Sequence, residues 1–141
     1  MKQLDIQKIK DYFNKRKEVA AVYLYGSQAR GDAKKDSDID LAVLPIKEQN
    51  SLSFLVFGPE LSKITGKEVE VQDLKSCRVD FAYRVLSEGK LLVSSNEKAR
   101  IAFEEQVFRK YFDLKPFLDE YYESLSKIAK RGELHVRYIQ N

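Results

Sequence analysis

The sequence predicts an α/β domain of the α+β kind, with a small mixed β-sheet, helices packed on it and a long helical segment at the C-terminal end. Three observations predict this. Segments of strand character at Val19–Tyr25, Ser37–Leu44 and Lys67–Leu74 alternate with stretches of helical spacing. The first strand is an apolar run of β-branched and aromatic residues, whereas the third alternates. From Asn96 to about Lys130 the apolar residues keep a helical period.

Taking the elements in order, Leu4, Ile6, Ile9, Tyr12 and Phe13 recur among Lys, Gln and Asp and predict an amphipathic helix ending in the charged stretch Asn14–Glu18. Val19–Tyr25 is β-branched and aromatic and stops at Gly26; a polar loop leads to Ser37–Leu44, which stops at Pro45. Ser51–Thr65 carries Leu52, Leu55, Val56, Leu61 and Ile64, with Gly58-Pro59 marking either a kink or the helix start; a helix through Ile64 is the favoured reading. In Lys67–Leu74, Val69 and Val71 take one face and Glu68, Glu70 and Gln72 the other. Arg78–Ser87 reads as a helix and Leu91–Val93 as a short edge strand. Beyond Asn96 comes one long bent helix or two, with Pro116 at the bend. Gly132 stops it, and the tail Arg131–Asn141 is too short to assign.

With 141 residues and 43% hydrophobic content, the chain is expected to form a single domain, its α/β core over 1–95 and a helical extension over 96–141. The 25 Lys and Arg against 22 Asp and Glu leave a net charge of +3, too little for a protein held to nucleic acid through its phosphates, so no direct nucleic-acid partner is expected. No apolar run reaches the roughly 18 to 20 residues of a membrane span, so no membrane partner is expected either. The single cysteine, Cys77, excludes an internal disulfide; with no apolar signal segment, the cytoplasm is the expected compartment.

The chemistry is concentrated between Tyr25 and Leu41. An acid-x-acid pair carries little weight by itself, because about three are expected by chance in a chain this acidic, and three occur: Asp36 with Asp38, Asp38 with Asp40, and Glu68 with Glu70. What distinguishes Asp38 and Asp40 is their strand setting. A period of two places both carboxylates on one face, about 7 Å apart, with Ile39, Leu41 and Val43 on the other. Two such charges repel unless a cation or hydrogen bonds offset them, and a hard divalent ion such as Mg²⁺ prefers these oxygen ligands. Gly26 permits close approach of the backbone to a ligand, and Ser27 is placed to cap a short helix facing a bound anion. Arg30 is a candidate to neutralise triphosphate oxygens, with Lys34 and Lys35 more suited to a solvated turn.

The ordered combination of strand, Gly-Ser, Arg-Gly and Ser-Asp-x-Asp resembles the nucleotidyltransferase superfamily that includes DNA polymerase β, and specifically its minimal nucleotidyltransferase (MNT) branch. The family pattern GSxARGxxxxxSDIDLxV matches Gly26 to Val43 without a gap, and a weaker match continues through Gly66–Leu74 and Leu86–Leu92. The resemblance implies the nucleotidyltransferase fold, Mg²⁺ held by Asp38 and Asp40, ATP as substrate, and nucleotide binding by Gly26, Ser27, Arg30 and Ser37. It also implies a third catalytic carboxylate, at the place of Glu70, where the family usually has Asp. Glu68 shares that strand face, and only the resemblance favours Glu70.

The same resemblance implies the MNT antitoxin of a two-component system, which transfers AMP from ATP to a tyrosine of a HEPN-domain RNase toxin in a hetero-oligomer. Aromatic residues at Phe103, Phe108, Tyr111, Phe112, Phe117, Tyr121 and Tyr122 exceed one inward stripe and suit a partner surface, although core packing is expected for most. Two other readings stand beside it. One is an MNT subunit that has lost catalysis and neutralises its partner by binding alone. The other is a small-molecule nucleotidyltransferase working with a helical substrate-binding subunit. His135 with Arg131, Arg137 and Tyr138 does not reproduce the spacing of a HEPN RNase motif.

Overall fold

The computed structural model describes residues 3–31, 37–47 and 54–131. Lys34, Lys35, the start of the Ser51–Thr65 segment and the tail from Gly132 lie outside them. The chain divides into two compact units, Met1–Val107 and Phe108–Asn141.

In the first unit, α1 (Gln3–Asn14) precedes β1 (Val19–Tyr25), a four-residue α2 (Ser27–Arg30) and β2 (Ile39–Pro45). Then come α3 (Phe57–Thr65), β3 (Val69–Asp73), α4 (Val79–Glu88), β4 (Lys90–Ser94) and the beginning of α5 (Glu97–Lys130). The strands form one mixed sheet in the order β3-β2-β1-β4. β1 pairs antiparallel with β2 and with β4, and β2 pairs parallel with β3. That parallel pair needs a crossover, which contains α3.

Both faces of the sheet are covered. On one, Val22, Leu24, Ile39, Leu41 and Val43 pack against Ile9, Tyr12 and Phe13 of α1 and Phe57 and Leu61 of α3. On the other, Ala21, Tyr23, Ala42 and Leu44 pack against Ala82 and Val85 of α4 and Val107 of α5. The acid-bearing face of β2 is therefore apolar beyond Asp40, and its polar character is confined to the end where Asp38 and Asp40 stand.

The α1 face differs from the expected one. Leu4 is 63% exposed, while Asp5 is only 6% exposed. A carboxylate needs a partner to be buried, and Asp5 has one in Lys67, whose Nζ lies 3.0 Å away. This pair ties the first turn of α1 to the approach to β3. At the other end of α1 the Tyr12 hydroxyl donates to Glu60 of α3, and Arg16 sits 3.6 Å above the Tyr12 ring while its Nη2 donates to the same carboxylate.

The second strand begins at Ile39, so Ser37 and Asp38 lead into it and do not belong to it; its far end reaches Pro45, opposite Val19. Gly58-Pro59 falls in the first turn of α3, where proline's missing N–H costs no helical bond. A polar network fastens the start of α5 to the sheet. The Tyr23 hydroxyl donates to Glu104 at 2.6 Å, and Arg100 donates to both Glu104 oxygens at 3.1 Å and to Ser94 Oγ at 2.9 Å.

In the second unit the helix continues through Pro116 to Lys130, one helix and not two. Core packing does not account for its aromatics: Phe112, Phe117, Tyr121 and Tyr122 are all exposed, Phe117 by 68%. Among the described residues no helix is long and apolar enough to cross a membrane.

Candidate active site

Strand register builds the site. Asp40 lies opposite Tyr25 on the antiparallel neighbour and opposite Glu70 on the parallel one. Residues paired across a sheet share a face, so Glu70, Asp40 and Tyr25 form a row across three strands at a spacing of about 4.8 Å. The register begins with the Ile39 N–H donating to the Glu68 carbonyl at 2.9 Å. It places Glu70, and not Glu68, directly beside Asp40. Glu70 and Asp38 are exposed and Asp40 is half-buried.

The turn after β1 closes on this row. Gly26 has φ 75° and ψ −156°, a conformation essentially reserved for glycine, and a β-carbon there would lie 2.5 Å from Asp40 Oδ2. The strand therefore delivers the chain into α2 directly over the Asp40 carboxylate. Ser27 is the first residue of that helix and makes no capping bond; the cap position belongs to Gly26, which has no side chain to offer one. The α2 helix ends at Arg30, and Gly31 follows in the left-handed conformation with its N–H donating to the Ser27 carbonyl.

Two further residues, which sequence reasoning passed over, belong to the same neighbourhood. Tyr25 packs edge-to-face on Phe81, ring centres 5.4 Å apart. Burial, with Asp40, Glu70 and Cys77 nearby, pushes its phenol up to about 12. Gln28 is buried in α2, and its Nε2 donates to the Ser37 carbonyl at 3.1 Å. Tyr25 carried a signal in its position immediately before Gly26; Gln28 carried none, because nothing local marks a glutamine for burial.

The electrostatics suit a cation. Burial raises the Asp40 carboxyl above the ordinary carboxylate range, Glu70 and Asp38 raise it further, and the Arg30 guanidinium opposes the rise. A divalent ion between these carboxylates would relieve the repulsion. Among the described residues no three His, Cys, Asp or Glu side chains converge as a metal-ligand set. Mg²⁺ needs no such set, since it binds through one or two carboxylates and completes its shell with phosphate oxygens and water. Asp38 and Asp40 fit that requirement, and the glycine at 26 leaves the space beside Asp40 free of a side chain. Cys77 does not read as a nucleophile: its thiol donates to the Leu74 carbonyl at 3.3 Å, and burial, with Asp73 and Asp80 nearby, pushes it up to about 11.

A mixed sheet of this order, with a glycine turn leading into a short helix and two acids at the head of the adjoining strand, defines a nucleotidyltransferase. The chain belongs to the family described as Polymerase beta, Nucleotidyltransferase, which it matches over residues 7–98. It is 25% identical over 116 residues to the protein adenylyltransferase MntA of Shewanella oneidensis, covering 79% of this chain and 83% of that one. Solved structures share the fold. A toxin–antitoxin with AMP-PNP contains a chain of TM-score 0.75 at 21% identity, covering 86% of this chain and 98% of its own. A tri-AMPylated Shewanella oneidensis HEPN toxin in complex with MNT antitoxin contains one of TM-score 0.73 at 21% identity, covering 89% and 99%.

Proposed function

We propose that this chain is the antitoxin of a HEPN RNase toxin and acts by transferring AMP from ATP, with Mg²⁺, to a tyrosine of that toxin. The observation that carries the reading is the row of Asp40 and Glu70 on paired strands beneath the Gly26 turn. Support for the acceptor comes from the MntA relative, a protein adenylyltransferase, and from the tri-AMPylated HEPN toxin found with an MNT antitoxin. The four exposed aromatics of residues 108–130 add an apolar surface of the kind used at interfaces. In this division of labour the core over 1–95 performs the chemistry and the extension over 96–141 serves the partner.

Each residue then has a task. Asp38 and Asp40 hold the metal, which when bound neutralises charge on the triphosphate. Gly26, Ser27, Arg30 and Ser37 seat the nucleotide, with Arg30 the one fixed positive charge among them. Glu70 accepts the proton of the tyrosine hydroxyl as its oxygen bonds to the α-phosphorus. The bond from that phosphorus to the bridging oxygen breaks, pyrophosphate leaves, and an AMP ester remains on the tyrosine. The reaction is placed in the cytoplasm, in keeping with a chain whose single cysteine forms no internal disulfide.

A binding-only antitoxin is favoured by one observation, the Glu at position 70 where the family usually has Asp. Incubation of the chain with its co-purified partner, Mg²⁺ and ATP labelled at the α-phosphate separates the two readings. Label on a partner tyrosine is the expected result. A partner neutralised without label assigns the chain to binding alone.

A further inference from the structure

We infer that Gln28 is a positioning residue that locks the nucleotide-binding turn to the metal-binding strand through the Ser37–Asp38 peptide. The inference rests on the functional reading above and goes beyond the residues it assigns. Gln28 sits in the middle of α2, on the segment that leaves Gly26, yet it is only 6% exposed. Among the described residues its side chain makes one hydrogen bond, from Nε2 to the carbonyl of Ser37, nine residues on, at 3.1 Å. Since a carbonyl only accepts, the nitrogen of the amide must face it, which fixes the orientation of the side chain.

That carbonyl belongs to the peptide whose N–H is that of Asp38. Two residues further, the Ile39 N–H is held by the Glu68 carbonyl at 2.9 Å. Asp38 precedes the strand, and among the described residues no ladder pairing includes it. It is therefore fixed from both sides: by Gln28 through the peptide before it, and by the approach to β3 through the peptide after it. The opposite end of the amide points to the same role. Among the described residues Gln28 Oε1 is buried without a hydrogen-bond partner, a cost that an apolar side chain of equal volume would avoid. Packing alone would favour methionine at this place. What the amide adds is the bond to Ser37, which makes the Gly26–Arg30 turn and the Asp38–Asp40 segment move as one body.

The test compares wild type with Gln28→Met, which keeps the volume and removes the donor, and Gln28→Glu, which keeps the shape and turns the donor into an acceptor. Two quantities are read on the full chain. One is amide hydrogen exchange at Ile39, whose N–H is bonded to the Glu68 carbonyl, in the free protein. The other is the Mg²⁺ concentration giving half of the ATP-induced rise in melting temperature. Both variants are expected to exchange faster at Ile39 and to need roughly three- to tenfold more Mg²⁺, the scale of one lost hydrogen bond. Gln28→Glu should be at least as impaired as Gln28→Met, and it carries the test if the methionine variant does not fold. Wild-type exchange and wild-type Mg²⁺ demand in the variants overturn the inference alone. A wild type that does not respond to ATP and Mg²⁺ overturns the functional reading and this inference with it.

Discussion

Gly26 and Asp40 share a space that holds only one of their side chains: a β-carbon on the glycine would stand 2.5 Å from Asp40 Oδ2. The backbone at Gly26, with φ 75° and ψ −156°, is also one that other residues adopt only under strain. Gly26→Ala is therefore expected to lower stability by about 1–3 kcal/mol. Turning Asp40 aside should reduce transfer by roughly a hundredfold, as small misplacements at reacting centres do. Chemical denaturation and label transfer on the same preparation check both. Unimpaired transfer would detach Asp40 from the site.

Replacing both acids, Asp38→Asn with Asp40→Asn, should bring label transfer down to background while changing stability by less than about 1 kcal/mol. The small change follows from position, because Asp38 is exposed and Asp40 is crowded by like charges, whose removal costs the fold nothing. A double variant that still labels its partner would rule out these carboxylates as metal ligands.

The register also discriminates between two neighbouring glutamates. Glu70→Ala should slow transfer by about a hundredfold or more, the scale of a lost general base, whereas Glu68→Ala should stay within about twofold of wild type. Single-turnover rates with saturating ATP make the comparison, and the reverse order would mean that the third acid is Glu68.

Cys77 gives a pH-dependent reading of its own. With its thiol pushed up from 9.0 to about 11, first by burial, alkylation by iodoacetamide at pH 8 should run roughly a hundredfold slower than for an exposed thiol, in proportion to the thiolate present. The sign for stability follows from a folded-state value above the unfolded one. The contribution is complete below pH 9.0 and is lost as pH rises through about 11. Because the chain has one cysteine, the rate of labelling reports this group alone.

At the start of α5, Glu104 is the acceptor on which Tyr23 and Arg100 both depend. Glu104→Ala should cost about 2–3 kcal/mol, less than a fully buried pair because the side chains are partly solvated. Tyr23→Phe should cost only about 1 kcal/mol, since the ion pair survives it. Urea unfolding of the two single variants and the double variant will show the coupling, and additive costs would mean that the network does not act as a unit.

Much of this fold was legible in the sequence where the signal was local. The bounds of β1 follow from an apolar run closed by Glu18 and Gly26, and the ordered motif from Gly26 to Val43 contains Gly26, which lies against Asp40, and Asp38 and Arg30, whose charges act on it. The burial of Asp5 in place of Leu4 was legible in principle. At about 100° per residue Asp5 falls within the arc of Ile9, Tyr12 and Phe13 and Leu4 outside it, but a charged residue is read as exposed unless its partner is known, and Lys67 is 62 positions away.

The features that were not legible are those fixed by distant pairing. A period of two cannot choose between Glu68 and Glu70; the choice is made by the Ile39 bond to the Glu68 carbonyl. The same holds for Gln28, whose partner is reached only when the turn folds back on the start of β2. For the aromatics of residues 108–130, helical spacing assigned faces without saying what those faces meet; core packing is expected for most of the seven from Phe103 to Tyr122, and four of them are exposed.

The parallel alignment of β2 with β3 makes errors of strand alignment unequal in their consequences. A slip by a single residue would set Val69 or Val71 next to Asp40 and erase the acid row. A slip by two in one direction would bring up Glu68, a spare carboxylate on the correct face, while the same slip in the other direction would bring up Gln72, an amide unable to take a proton. Misaligned by two residues, this sheet thus keeps a carboxylate beside Asp40 in one direction and loses it in the other.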